Sequence, residues 1–344
     1  MSTSNRFHFL DSLRGFAIAG ILLVNAADLM CLGHDVPVRP FQTIPLAENV
    51  LDFLVATRFV PIFSFMFGMS MGFVIDSAIR RGAPAWKILL RRLAALLVIG
   101  LLHSILYPGE ILRDYAVVGA ILLPFVLKVP RSVRLVLGLL ATVGAYAFTG
   151  GGELSLPGLF LLGSAAQAYG LPARLEHADR RIGAATLVFA AASAAAIPWQ
   201  AAEGGDPRFF TAGGVAGGLM ACLYVCLLAL LWRTPVRRAL SAVFEPLGRM
   251  ALTCYVTASF VMVPAGVLLD SRSTQDVIPG LIVAAAVLPL QWVFCRLWLS
   301  RFAYGPLEWV WRCITWWRWI PLQRPQSKRL DPVSYVPTTT DGIA

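Results

Sequence analysis

The sequence predicts an all-α fold: a polytopic bundle of about ten transmembrane helices, followed by an interfacial amphipathic helix near the carboxyl terminus. Hydrophobic residues make up 58% of the 344-residue chain and charged residues only 14%, with a mean hydropathy of +0.70. Soluble domains carry about 25% charged residues. Apolar runs long enough to cross a hydrocarbon core of about 30 Å recur along the chain. Basic residues collect between alternate runs, as expected of cytoplasmic loops.

The apolar runs are expected to form helices, because a backbone in lipid must satisfy its amide groups internally. The first run does not look like a cleavable signal peptide, since it is long, holds Asn25 and Asp28, and is followed by no small-residue cleavage site. The sixth run is the shortest of the set. The predicted spans lie at about 13–32, 51–77, 88–107, 111–128, 133–149, 155–170, 182–199, 211–232, 249–269 and 277–299.

The distribution of basic residues tests this division into spans and predicts how the chain is oriented in the membrane. One set of alternate connections, together with both termini, holds 22 of the 29 lysine and arginine residues. The other set holds three, and four more lie within or at the ends of helices. The positive-inside rule places the basic set, and therefore both termini, in the cytoplasm. The net charge of +10 thus predicts contact with membrane lipids and no nucleic-acid partner.

The chain is expected to form a single transmembrane domain over residues 1–322, with a disordered cytoplasmic tail over 323–344. The interfacial helix is predicted at about 304–320, where five tryptophans alternate with Arg312 and Arg318. Six cysteines are spread over the chain, and no spacing among them completes a metal site. No metal and no permanently bound cofactor are therefore predicted.

Polar residues at the ends of the first four helices are predicted to share one layer near the outer surface. The topology brings four groups to that layer: Asn25–Asp28, Asp52–Arg58, His103–Tyr107 and Glu110–Tyr115. Ionisable groups inside a membrane are costly and are candidates for function. This mixture of side chains suits proton transfer or anion recognition. The predicted substrate-binding residues are Asp11, Arg14, Asp28, Arg58, Arg113 and Tyr115.

The first helix carries Arg14 and Asn25 on nearly the same face. The two residues are 11 positions apart, about three helical turns or roughly 16 Å. Asp11, three residues before Arg14, is placed to pair with it. Two interpretations stay open: a polar track in which Arg14 meets an anion such as a phosphate, or a pair that only fixes the end of the helix.

His103 is the leading candidate for a general base, with Glu110 as its supporting carboxylate. It closes the apolar run L-V-I-G-L-L-H and precedes Pro108-Gly109-Glu110. Burial would favour a neutral imidazole able to accept a proton. The alternative is an interfacial histidine with a satisfied hydrogen bond. His34 is a second candidate base in a less apolar loop.

Several blocks of sequence resemble the YeiB-type family of multi-pass bacterial membrane proteins, known as domain of unknown function 418. They include L-D-S-L-R-G-F-A-I-A-G-I-L-L-V-N at 10–25, F-S-F-M-F-G ending at Gly68, and R-R-L-A-A-L-L-V-I-G-L-L-H at 91–103. The similarity continues in P-G-E-I-L-R-D-Y at 108–115, G-R-M-A-L-T-C-Y at 248–255 and G-P-L-E-W-V-W-R at 305–312. Cys254 stands where the family usually has asparagine, and Glu110 where it usually has aspartate.

The resemblance implies a bacterial plasma membrane protein, distantly similar to transmembrane acyltransferases. An acyl-CoA would then be the donor, with His103, Glu110 and Asn25 as catalytic residues and a small-molecule or lipid-linked acceptor near the outer face. Asn25 stands where many such enzymes have a histidine. The alternatives are a transporter for a small or amphipathic metabolite and a non-catalytic membrane scaffold. Association into homo-oligomers is left open.

Overall fold

The computed structural model describes residues 6–37, 46–177 and 179–323. Within these ranges the regular secondary structure is helical, apart from an isolated bridge between Phe302 and Gln323. The prediction of an all-α bundle is therefore confirmed. The tail predicted to be disordered falls, from residue 324 onward, outside the described residues.

Fourteen α-helices follow one another along the described chain. Prolines at the first turns of α7, α13 and α14 suit helix starts, because their missing N–H has no partner there anyway. Gly150 ends α6 with a φ of +69°, a conformation that favours glycine. The helices are α1 (His8–Leu29), α2 (Leu46–Leu54), α3 (Phe59–Arg80), α4 (Ala85–His103), α5 (Leu112–Lys128), α6 (Arg131–Thr149), α7 (Leu156–Ala168), α8 (Leu171–His177), α9 (Arg180–Glu203), α10 (Thr211–Leu231), α11 (Arg237–Arg249), α12 (Ala251–Leu268), α13 (Ile278–Arg301) and α14 (Pro306–Trp316).

Every predicted span coincides with helix, but the structure adds three features. The second predicted span is broken into α2 and α3 at residues 55–58, where Thr57 has a φ of +63°. The sixth is followed by α8, which is bent by 73° from α7 after Gly170. The basic segment Arg237–Arg249, interpreted from sequence as a loop, is the amphipathic helix α11.

Ion pairs and hydrogen bonds among helix ends and loops define two opposite ends of the bundle. At the end where α1 begins, Arg6 pairs with Glu245 and the Trp311 indole donates to the Arg92 carbonyl. At the end where α1 finishes, Asp28 pairs with Arg208 and Asp35 with Arg272. These are called below the Arg14 end and the His103 end.

The outer helices expose apolar side chains to their surroundings, which identifies an integral membrane protein. Phe148 of α6 is 86% exposed, Leu187 of α9 is 74% exposed and Leu297 of α13 is 66% exposed. Seven described segments are long and apolar enough to span a membrane, or eight when α7 and α8 count as one. Of the rest, α4 carries Lys87, Arg91 and Arg92, and α5 has 17 residues. The number of ten spans stays a prediction.

The most buried of these segments is α1, which lies at the centre of the bundle. Its amino-terminal half packs backbone to backbone on α11. A Cβ built on Gly15 would lie 1.9 Å from the Phe244 carbonyl oxygen, and one on Gly248 would lie 1.7 Å from that of Asp11. Glycine is therefore required at both positions for the helices to meet.

Candidate functional site

His103 lies at the end of α4 and is 4% exposed. Its Nε2 is 2.8 Å from the hydroxyl oxygen of Ser259 in α12. The imidazole also packs edge-on against Tyr255 and Tyr107, with ring centroids 5.3 and 6.1 Å away. Three neighbours from α12 and the turn after α4 thus fix the ring in place.

Glu110 lies on the other side of the imidazole and is 2% exposed. Its Oε2 is 3.9 Å from His103 Nδ1, which is beyond hydrogen-bond distance but close enough for electrostatic support. The same carboxylate accepts hydrogen bonds from the backbone amides of Leu112 and Arg113, at 2.7 and 3.0 Å. A carboxylate at this position stabilises the start of α5. Glu110 therefore serves the fold and the imidazole together.

Gly100 explains how Glu110 comes so close to α4. A Cβ at this position would lie 2.7 Å from the Arg113 amide nitrogen and 2.9 Å from Glu110 Oε1. The glycine three residues before His103 therefore lets the start of α5 rest on the last turn of α4. The run G-L-L-H followed by the Pro108-Gly109 turn thus positions acid and base together.

His103 Nδ1 is buried and has no hydrogen-bond partner among the described residues. A buried polar nitrogen without a partner is unfavourable unless another group satisfies it in some state of the protein. If Ser259 donates to Nε2, the proton lies on Nδ1, facing Glu110. In that tautomer the array runs from hydroxyl to imidazole to carboxylate, the order used to activate a hydroxyl group.

A narrow cavity borders this array on the side of α1. It follows α1 from Ile18 to Leu29 and is closed by α12 and by Gln291 of α13. Asn25, Tyr107, Tyr255 and Ser259 line it, so the three residues that contact the His103 ring also face Asn25 across this space. Its usable volume of about 10 Å³ holds about one water molecule. The site is closed to a larger ligand in this conformation.

Asn25 and Cys254 face this cavity with different polarity. Asn25 is half-buried, and its amide makes no hydrogen bond to any residue in the described ranges. It is therefore free to bind a group that enters the cavity. Cys254 is buried with its sulfur 3.4 Å from that of Cys295. The cysteine thus makes this wall apolar where family members usually place an amide.

The structure places other predicted site residues away from the imidazole. Arg58 is fully buried, and donates to Gln200 Oε1 at 2.7 Å and to Thr57 Oγ1 at 2.9 Å, between α9 and α10. Tyr115 is fully buried in an aromatic cluster, with its hydroxyl 2.6 Å from that of Ser64. Neither makes a contact with His103 among the described residues, and the single shared layer stays a prediction.

Arg113 and Asp28 lie nearer to the site, at its edges. The Arg113 backbone is held by Glu110, whereas its side chain is 3.7 Å from Asp114. Asp28 is 2.6 Å from Arg208, which also binds Asp206 and links α1 to the loop before α10. Hydrogen bonds that Arg208 donates to Asp206, together with the nearby charge of Asp28, raise the pKa of Arg208 and keep it charged.

The predicted pair at the beginning of α1 is confirmed. Arg14 Nη1 is 3.4 Å from Asp11 Oδ1, and it also donates to the Gly248 carbonyl at 3.3 Å. Asp11 is bound more closely by Arg6, at 2.7 Å. Arg14 and Arg312 are also the charged neighbours of Arg92, which stacks on Trp311 at 3.6 Å. Neither Arg92 nor Arg312 forms an ion pair within the described chain, so this end of the bundle suits an anion.

Three site residues were not identified from sequence: Ser259, Tyr255 and Gln291. Each lies in an apolar run, and no local pattern distinguishes it from a packing residue. Tyr255 closes the block G-R-M-A-L-T-C-Y, and Ser259 follows one helical turn later on the same face of α12. That four-residue spacing was the only available signal.

Comparisons with known proteins agree with the blocks of sequence described above. A profile of the family described as "Protein of unknown function (DUF418)" matches residues 170–318. The "Uncharacterized 39.9 kDa protein in amylase 3'region" of Bacillus acidopullulyticus is 30% identical over 342 residues, covering 94% of this chain and 97% of that protein. The "Uncharacterized protein YxaH" of Bacillus subtilis (strain 168) is 29% identical over 392 residues, with the same coverage. No solved structure matches the chain significantly.

Proposed function

The chain belongs to the DUF418 family of membrane proteins, and from this premise we propose that it is a membrane acyltransferase in which His103 acts as general base on a hydroxyl group. The observation that carries the proposal is the contact of 2.8 Å between His103 Nε2 and the Ser259 hydroxyl. In the tautomer with its proton on Nδ1, this nitrogen would accept a proton from an oxygen. Glu110 would stabilise the imidazolium that forms, and the Asn25 amide would hold the acyl carbonyl.

The donor in this proposal is an acyl-CoA that approaches the Arg14 end. Arg92 and Arg312, which form no ion pair within the described chain, would bind its phosphates together with the neighbouring Arg14, because arginines favour multiply charged anions. We place this end in the cytoplasm and the His103 end outside, in a bacterial plasma membrane, following the positive-inside rule. The cavity along α1 begins at Ile18, one turn from Arg14.

The test uses the full chain in vesicles of bacterial polar lipids. Palmitoyl-CoA is supplied as donor, and release of free CoA and transfer of the labelled acyl group to the lipid fraction are both measured. His103→Ala should lower transfer by about 10² to 10⁴, the range for losing a positioned general base. His34→Ala is the matched control, since His34 is an exposed loop residue. Unchanged transfer in the His103 variant would remove the proposed role.

A second candidate function is transport of a small organic anion, favoured by the break between α2 and α3. Discontinuous helices in membranes commonly mark binding sites of transporters. Arg58 lies at this break, fully buried, and donates no hydrogen bond to a carboxylate in the described structure. The test is uptake of labelled succinate into vesicles that carry a proton gradient and contain no acyl donor. Uptake by the wild type that is lost in Arg58→Lys would support transport. A protein inactive in both the transfer and the uptake assay would favour the non-catalytic scaffold.

A further inference from the structure

The Ser259 hydroxyl is directed differently from several other hydroxyls of the transmembrane helices. Ser64, Thr186 and Thr257 each donate to the backbone carbonyl four residues earlier in their own helix. That local bond is the usual way in which a helical serine or threonine is satisfied. Ser259 makes no such bond in the described structure, and its hydroxyl contacts the His103 imidazole of another helix at 2.8 Å.

The surroundings of Ser259 are those of an activated nucleophile. The residue is 2% exposed, so its hydroxyl does not compete with bulk water. The imidazole at one side has Glu110 behind it at 3.9 Å. The cavity on the other side contains the Asn25 amide, which has no hydrogen-bond partner in the described ranges. Ser259 and the Asn25 amide therefore line one cavity, and His103 with Glu110 behind it contacts the Ser259 hydroxyl from outside that cavity.

We propose that Ser259 carries the acyl group as a transient ester between donor and acceptor, an inference that rests on the proposed acyltransferase function. In the first step the Ser259 oxygen attacks the thioester carbon while its proton passes to His103 Nε2. The carbon–sulfur bond then breaks, and the departing thiolate takes the proton from the imidazole. In the second step His103 accepts the proton of an acceptor hydroxyl, whose oxygen attacks the carbonyl carbon of the ester. The bond between that carbon and the Ser259 oxygen then breaks, and the serine oxygen takes the proton back from the imidazole.

The cavity of about 10 Å³ holds about one water molecule, so it must open to admit either substrate. With a carrier, the opened site has to hold only one substrate at a time. The ester would be protected from hydrolysis whenever the helices close around it.

The test is to trap the ester in the absence of acceptor. The purified full-length protein in detergent is incubated with palmitoyl-CoA labelled in its acyl group, denatured, and examined for label bound to the chain. The wild type should retain label on the peptide that contains Ser259. Ser259→Ala should retain none and should lose transfer by about 100-fold or more. Ser64→Ala, a second buried serine, is the matched control.

Ser259→Cys guards against a variant that merely misfolds. A thioester formed at this position would be cleaved by neutral hydroxylamine, whereas the ester of the wild type would need alkaline conditions. A change from an ester to a thioester in this variant would identify residue 259 as the site of acylation. Full transfer by Ser259→Ala without labelled protein would overturn the carrier and leave the acyltransferase intact. Absence of CoA release by the wild type would overturn the proposed function itself.

Discussion

The carboxylate of Glu308 in α14 accepts two hydrogen bonds from Thr253 in α12, one from the backbone amide at 3.0 Å and one from the hydroxyl at 2.6 Å. A negative charge at this point lies at the amino terminus of α12, where the helix dipole favours it. The two residues belong to the blocks G-R-M-A-L-T-C-Y and G-P-L-E-W-V-W-R. The helix α14, whose interfacial position is a prediction, is thus attached to the bundle by specific contacts.

Thr253→Val should destabilise the protein through this contact. The substitution keeps the shape of the side chain but removes the hydroxyl donor to a carboxylate, which costs about 1.5–3 kcal/mol. Thr257→Val is the control, because the Thr257 hydroxyl bonds neutral groups, namely two carbonyls of its own helix and the Gln291 amide. The measurement is thermal unfolding in detergent, followed by tryptophan fluorescence. An equal loss of stability in the two variants would show that the hydrogen bond to Glu308 does not stabilise the protein.

Glu308 also predicts a pH dependence of stability. Burial raises the pKa of its carboxyl above the ordinary value of 4.5. The folded state therefore holds this proton to a higher pH than the unfolded state, so stability should fall as pH rises from about 4.5 through the folded pKa. Glu308→Gln should remove this component and flatten the profile between pH 4.5 and neutrality. An unchanged slope in the variant would contradict the prediction.

The contact between α1 and α11 should tolerate no side chain at Gly15 or Gly248. Alanine at either position would place its Cβ within 2 Å of a backbone carbonyl oxygen, so the helices must separate. We expect each substitution to cost about 1–3 kcal/mol, as for overpacking in other cores. Gly144→Ala is the matched control in α6, where no atom lies within 4 Å of the new Cβ. That variant should be neutral or more stable by about 0.5–1 kcal/mol.

Arg58 and Gln200 should be coupled in a double-mutant cycle. The Arg58 guanidinium is buried and donates to Gln200 Oε1 at 2.7 Å, while the Gln200 amide donates to the Asp52 carbonyl at 3.0 Å. Either Arg58→Met or Gln200→Leu leaves a buried polar partner unsatisfied, which costs about 1–3 kcal/mol. The double variant should lose less free energy of unfolding than the two single variants together, by about 0.5–3 kcal/mol. Additive losses in unfolding experiments would contradict the coupling.

The sequence was sufficient to predict those features that depend on local spacing. The apolar runs located the long helices, and the three-residue spacing of Asp11 and Arg14 predicted their contact. The helix α11 also had a signal, since Leu240, Phe244 and Leu247 recur at helical spacing. Its many arginines led to its interpretation as a loop. That interpretation gave more weight to the positive charge of the segment than to the helical spacing of its apolar residues.

Features that depend on distant contacts could not be predicted in this way. The break at Thr57 is stabilised by a hydrogen bond to the Gly213 carbonyl, 156 positions later. Ser259 meets His103 across the same separation. A serine in an apolar helix resembles any small packing residue until its neighbour is known. Arg58 was expected beside His103 because both end near the same surface, but α9 and α10 surround it instead.

The three walls of the small cavity differ in how firmly they are held. Close backbone approaches hold α1 against α11 at Gly15 and against α12 at Gly266. The third wall, α13, faces outward along much of its length and contains Pro289, two residues before Gln291. Proline removes a backbone hydrogen bond and weakens a helix locally. In the proposed acyltransferase, α13 is therefore the wall past which we expect a lipid tail to enter sideways from the bilayer.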